Sequence, residues 1–379
     1  MLAFIVVCSA EAARRVGSAA LNSGGAACLS LAQCALMVSR ARYLYEEAAG
    51  TQSTSFSEVE TEIANSLPLS IRTVRLILSA LSAARAAAEA AGTAVGDEEL
   101  ALETAVAAVP VLITSLEYVP EIAGEALQCL SVLTKHMEAA AAVATASEFR
   151  GIMIIVTALR RAAELGDEPA IAAAMATLAA VVVLHESYLA NMIAVGGASL
   201  VLSIMGDLAQ ESALDVVEPA VLLLALSVAS PEVASEAVYG GIFLLLRTLL
   251  QRFCTDTTRP SPNILAQVAA VTAGCCVSES VLSADGAERL AASRDIYRRV
   301  CKAAMSAPEY TDSYAAMRQV LQLIVCSCAP SPYVPGDVTV GNKEEAIACG
   351  TEDLIVTAMS SSGVCGHRLL CLVFPCGGL

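Results

Sequence analysis

The 379-residue sequence predicts an all-α protein built from stacked helical repeats, on three observations. A glycine-marked pattern recurs, with Gly151, Gly197, Gly241 and Gly286 lying 46, 44 and 45 residues apart. A fixed period in this range marks units that bury their apolar faces against their neighbours. Apolar residues make up 56% of the chain and charged residues 16%, too apolar for disorder. Much of that hydrophobicity is alanine, the best helix former. Trp is absent and aromatics are 4%, so the small side chains favour closely approaching helices over a sheet.

Residues 1–56 read as a helical N-terminal segment and partial repeat, with Ala26 to Ala49 the clearest helix. The opening Met1 to Ala12 lacks the positive first region of a secretory signal, and its apolar stretch is only about seven residues. A polar break, Gly50 to Ser55, precedes Ser57 and Glu60, which resemble a capping box. Residues 57–99 lead into the repeats through an amphipathic helix, Ile71 to Ala91, and an acidic loop, Gly92 to Glu99.

The periodic units occupy 100–328. Each consists of a short helix, a glycine turn, a medium helix, a loop and a longer helix. After each glycine, the fourth and fifth residues are apolar: Ile155 and Val156, Val201 and Leu202, Leu245 and Leu246, Leu290 and Ala291. Val109 to Leu116 overlays Ile152 to Leu159, with Ala108 where the glycine would stand. The long helices are predicted at Ile122–His136, Glu168–Leu184, Leu214–Ala229, Asn263–Val277 and Tyr314–Cys326. Breakers mark their loops, as in Gly166-Asp167-Glu168-Pro169. Residues 329–343 form a Pro/Gly-rich insertion, and 344–379 a partial repeat in which Gly350 is followed by Leu354 and Ile355 at the same offsets. The chain stops without an obvious polar capping helix, which predicts an end covered by a partner or a fragment.

Formal charge is −16, from 38 acidic and 22 basic residues. Nucleic-acid binding needs a basic footprint, so a protein partner carrying a basic or neutral extended segment is the better expectation. The same charge also serves simply to keep an apolar array in solution. Most of the fourteen cysteines stand in apolar helical runs, among them Cys129, Cys275, Cys276 and Cys326, and no Asn-x-Ser/Thr acceptor occurs. Both features predict a reducing compartment: cytoplasmic, with nuclear or ciliary as variants. A helical membrane protein is the rival reading, because Ser187 to Gly206 carries no charge. That stretch is broken by Gly196-Gly197, and the apolar run Ile171 to Leu184 is shorter than the roughly 20 residues a bilayer needs.

The phrases Ile193-Ala194-Val195-Gly196-Gly197-Ala198-Ser199-Leu200-Val201 and Ala237-Val238-Tyr239-Gly240-Gly241-Ile242-Phe243-Leu244-Leu245 resemble the junction between first and second helices of armadillo repeats. The resemblance spans about 100 to 327, and HEAT-type repeats, which lack the glycine turn, are the near alternative. It implies an armadillo-type right-handed α-solenoid whose third helices line a concave groove for extended protein segments. The Trp and Asn ladder of the nuclear-import adaptors is missing. The one Asn on a long helix, Asn263, stands where capping is the simpler role. The basic groove of adhesion-type members is missing too, since the long helices carry chiefly Lys135 and Arg318.

Polar candidates for such a groove are Glu125, Gln128, Glu168, Glu218, Gln267, Arg318 and Gln322. Each reads either as a partner contact or as part of a solvated face, with Glu168 and Glu218 also explicable as first-turn acids. No phosphate-binding loop, nucleophile elbow or acid/base pair appears, so no catalysis and no cofactor are expected. Of the three histidines, His136, His185 and His367, His185 ends an apolar helix, where a cation would suit the dipole. Cys365, His367, Cys371 and Cys376 number enough ligands for zinc, but their spacing fits no common pattern, and they read as core cysteines and a tail. The expected function is a non-enzymatic protein-interaction scaffold or adaptor. The alternatives are a structural subunit of a ciliary or cytoskeletal assembly, and the membrane protein above.

Overall fold

The computed structural model describes residues 98–254, 261–277, 286–306 and 313–328, with further positions at 309–310 and between 344 and 356. The predicted helices at 26–49 and 71–91, the 57–60 capping box, the 329–343 insertion and the Cys365 to Cys376 cluster lie outside the described residues. Every regular element among the described residues is helical. They fall into two compact units, divided between Val195 and Gly196.

The first unit holds α1 (Glu98–Tyr118), a 3-10 turn (Pro120–Ile122), α2 (Ala123–Leu133), α3 (Met137–Phe149), α4 (Gly151–Leu165), α5 (Glu168–Val182) and α6 (Glu186–Ala194). Glu98 and Glu99 already belong to α1, so the acidic loop predicted to Glu99 ends sooner. Where alanine replaces the repeat glycine, at Ala108, α1 runs on without a turn and even carries Pro110 inside it. The hydroxyls of Thr114 and Ser115 donate back to the carbonyls of Pro110 and Val111, each at 2.7 Å. On α4, Ile152, Ile155, Leu159 and Ala162 recur at helical spacing and are buried, while Arg160, Arg161 and Glu164 are exposed. α2 packs on α5, and α4 covers α5 from another side. Burial of α5 on more than one face explains its near-continuous apolar sequence.

The connection from α4 to α5 shows how the sequence sets a helix stop and start. Gly166 ends α4 in the left-handed region (φ 65°), which costs an L side chain about 1–2 kcal/mol and glycine nothing. Asp167 then caps α5, its Oδ1 accepting from the Ala170 N–H at 3.1 Å, with Pro169 in the first turn. His185 does not end a helix as expected. α5 stops at Val182, and His185 caps α6, its Nδ1 accepting from the Ser187 N–H at 3.1 Å. A cation there would face the positive end of a helix rather than the negative one.

The second unit holds α7 (Gly197–Glu211), α8 (Leu214–Ser227), α9 (Pro231–Tyr239), α10 (Ile242–Phe253), α11 (Pro262–Val277), α12 (Gly286–Ser306) and α13 (Tyr314–Cys328). α10 buries Ile242, Phe243, Leu246, Leu249 and Leu250 on one face. Full burial of each such side chain contributes roughly 1.5–3 kcal/mol. Arg252 near its end reaches back to α7, donating to the carbonyl of Ala209 at 2.7 Å and, beyond the helix end, of Ser212 at 2.9 Å. These carbonyls lack intrahelical partners, so the guanidinium closes the helix end.

The repeat glycines turn the chain in two ways. Gly196, Gly241 and Gly350 are left-handed, with φ of 77°, 79° and 72°. At the Gly196-Gly197 pair the turning residue is therefore Gly196, not Gly197, which opens α7. Gly241 sits between α9 and α10, which are bent by 79°. Gly350 marks the partial repeat, with Leu354 buried behind it. Gly151 works differently. α4 is bent by 94° from α3, and the left-handed residues are Ser147, Glu148 and Phe149. A Cβ on Gly151 would lie 1.9 Å from the Val143 carbonyl oxygen, so glycine is required there for close approach.

Among the described residues, no single helix is long and apolar enough to cross a membrane, although bent helix pairs reach the length and composition.

Candidate functional site

In the second unit α8, α11 and α13 are the third helices of successive repeats, and α11 packs against both of the others. α8 and α13 are not the longer helices the sequence predicted, since α8 has 14 residues against 15 in α7, and α13 has 15 against 21 in α12. A cleft of about 730 Å³ opens along them. Its lining follows helical spacing. α8 and the residues just after it give Glu218, Leu222, Leu226 and Ala229, and α11 gives Asn263, Gln267, Ala270 and Gly274. α13 gives Tyr314, Arg318, Gln322 and Cys326. Residues four apart on a helix share a face, so each helix contributes one stripe.

Two ties hold α8 to α11. At one end Asn263 Nδ2 donates to Glu218 Oε1 at 2.6 Å. At the other, a Cβ on Gly274 would lie 2.7 Å from Val228 Cγ2 and 3.1 Å from its carbonyl oxygen, so only glycine permits this approach. Between the ties α11 lines the cleft with Gln267 and three alanines, Ala266, Ala270 and Ala273, which are too short to fill the space. Buried hydroxyls do not compete for a ligand. Ser227 and Thr272, one repeat period apart, donate to the carbonyls four residues back at 2.7 Å. Gln267 is the exception: it is 9% exposed and its Oε1 has no hydrogen-bond partner.

The structure brings together four of the seven residues singled out in the sequence: Glu218, Gln267, Arg318 and Gln322. The others stand in the first unit. Glu125 and Gln128 are half-buried on α2, and Glu168 is exposed in the first turn of α5, where the dipole account suffices. Glu218 is not a first-turn acid, since Asp215 holds that place on α8. Asn263 is not the cap of α11. Ser261 is, its Oγ accepting from the Ile264 N–H at 3.4 Å, which leaves the Asn263 amide for Glu218. Lys135 lies in the turn after α2, so Arg318 is the one cation on α2, α5, α8, α11 and α13. The sequence reading missed Tyr314 and Cys326, although the four-residue step Tyr314, Arg318, Gln322, Cys326 was a visible signal.

Reactive groups are not concentrated anywhere among the described residues. Cys129, Cys254, Cys275 and Cys301 are buried, and Cys326 is partly exposed, taking a contact of 3.3 Å from Gln322 Nε2. Burial pushes the Cys254 thiol up to about 12, against a smaller lowering by the Tyr310 hydroxyl. The Tyr310 hydroxyl, itself raised chiefly by burial, donates to the Cys254 carbonyl at 3.3 Å. A thiol so shifted is no nucleophile. Among the described residues no cluster of His, Cys, Asp and Glu could hold a metal ion.

First helix, glycine elbow, second helix, loop and third helix, repeated along the described residues, define an all-α repeat protein of armadillo-like fold. No protein-family model matches the sequence, and no curated protein resembles it significantly. Solved structures do. One is an engineered protein, 15% identical over 67% of this chain and 90% of its own, with a TM-score of 0.47. Another is a designed armadillo repeat protein in complex with the peptide (KR)4, 14% identical over 70% of this chain and 96% of its own, with a TM-score of 0.45.

Proposed function

We propose that this chain is a non-catalytic interaction scaffold that captures an extended segment of a partner protein in the cleft along α8, α11 and α13. The observation that carries the reading is the cleft itself: three third helices held together, yet separated along an alanine stripe that leaves 730 Å³ open. That volume is within the range of sites that bury a ligand of several side chains. The excess of acidic over basic residues favours a basic or neutral segment. The cytoplasm is the proposed location, because cysteines set as small apolar groups in the core, such as Cys129 and Cys301, suit a reducing compartment.

The test is panning of a random linear peptide library against the full chain. Ala270→Leu and Ala225→Leu, which fill the cleft, serve as counter-selections. Enriched peptides should lose at least tenfold in affinity on both variants and should protect Cys326 from alkylation. Peptides that bind the filled variants equally well would place the interface elsewhere and refute the cleft as the capture site.

A further inference from the structure

We infer that the cleft selects a neutral carboxamide side chain, asparagine or glutamine, on the captured segment, and that Gln267 reads it. This rests on the cleft being the capture site and adds what fits there. Gln267 is nine-tenths buried with an unpartnered Oε1. Rotating its amide only exchanges an orphan acceptor for an orphan donor. A buried polar atom left unpaired is a standing cost, and whatever supplies the missing partner recovers it.

Depth decides how that partner arrives. Arg318 and Gln322 are exposed and Glu218 is half-buried, so they stand toward the rim, whereas Gln267 is as buried as its neighbour Ala266. A backbone crossing the rim stays above that level, and a side chain enters. Charge decides which side chain. Glu218 and Arg318 give the lining one charge of each sign, and Glu218 already accepts the Asn263 amide. An ammonium or carboxylate carried down to an alanine wall would exchange its water for one neutral hydrogen bond, which does not offset the loss. A carboxamide loses far less and offers Gln267 both a donor and an acceptor.

The experiment uses arrayed octapeptides whose central residue is fixed as Gln, Asn, Met, Lys or Glu, with flanks randomised among Ala, Val, Ser and Thr. Binding to the full chain is read by fluorescence anisotropy. Peptides centred on Gln or Asn should bind at least ten times tighter than those centred on Met, and Gln267→Met should erase the difference. Equal binding of the Gln and Met sets, or a preference for Lys or Glu, overturns the assignment on the unaltered chain, whether or not the variant folds. Ala270→Leu separates this inference from the one beneath it. Loss of all binding in that variant, with no effect of the central residue, would keep the cleft and remove the role of Gln267. Undiminished binding in that variant, or no binding of any set to the wild type at millimolar concentration, would remove both.

Discussion

Gly151→Ala adds one methyl group at the α3–α4 elbow, and the geometry fixes its sign. The new Cβ would lie 1.9 Å from the Val143 carbonyl oxygen, where real contacts do not fall below 3.0 Å, and 3.0 Å from the carbonyl carbon. Both obstacles are backbone, so no side chain can rotate away. Overpacking of this kind costs about 1–3 kcal/mol, and the clash places Gly151 at the upper end. The preference of helices for alanine over glycine returns up to about 1 kcal/mol, less at a first helical position. The expected net loss is about 2 kcal/mol, or a fall of roughly 4–8 °C in Tm for the unit that holds this elbow. Gly206→Ala is the matched control: it lies exposed inside α7 with no atom within 4 Å of the added Cβ. It should gain about 0.5–1 kcal/mol. Urea midpoints and melting curves followed by circular dichroism measure both. A Gly151→Ala protein as stable as wild type, or a destabilised Gly206→Ala, would refute the division of glycines into required and dispensable.

Other substitutions test separate joints. Glu148→Gly should stabilise by about 0.5–1 kcal/mol, since φ 59° strains glutamate and not glycine, and a shift in urea midpoint would show it. Arg252→Met strips two charged hydrogen bonds from carbonyls at the end of α7 and should cost about 2–3 kcal/mol. Arg252→Lys should recover only part, because an ammonium lacks the fork; equal stability of Lys and Arg would argue against closure of the helix end. The Cys254 thiol is raised from 9.0 to about 12, so between those pH values the unfolded chain has released a proton that the folded chain retains. Stability should therefore be intact below pH 9 and fall as pH rises through this window, by up to about 1.4 kcal/mol per unit. Cys254→Ala should flatten that slope by one proton in urea titrations across the window, and an unchanged slope would count against the burial of this thiol.

Helices were legible because their signals are local. Gly166, Asp167 and Pro169 end one helix and start the next using only their own backbone angles and a side chain three residues long in reach. What required the fold were choices between neighbours with equal local claims. Ser261 and Asn263 both suit a cap, and the presence of Glu218 one repeat earlier engages the second and leaves the first to cap. Gly196 and Gly197 both suit a turn, and helix α7 begins at the latter. Gly151 looked like its counterparts, yet three preceding residues take the left-handed angles while it answers to a carbonyl oxygen from α3. Half of the site could be read as polar positions on third helices. The cleft itself could not, because it depends on the distance between α8 and α11, set by Gly274 against Val228 and by alanines whose sequence signal is merely helix.

An alanine wall has a consequence for descent as well as for binding. The helices around this cleft are carried by Leu, Ile and Val elsewhere in the unit, so the positions that shape the open space are not those that hold the array upright. Ala270 and Ala225, both only partly buried, each stand one hydroxyl or two methyl groups from a differently contoured surface. Serine there would favour a wetter ligand, and valine would leave a shallower seat. A lineage could thus reshape the cleft by single steps while its scaffold stays still.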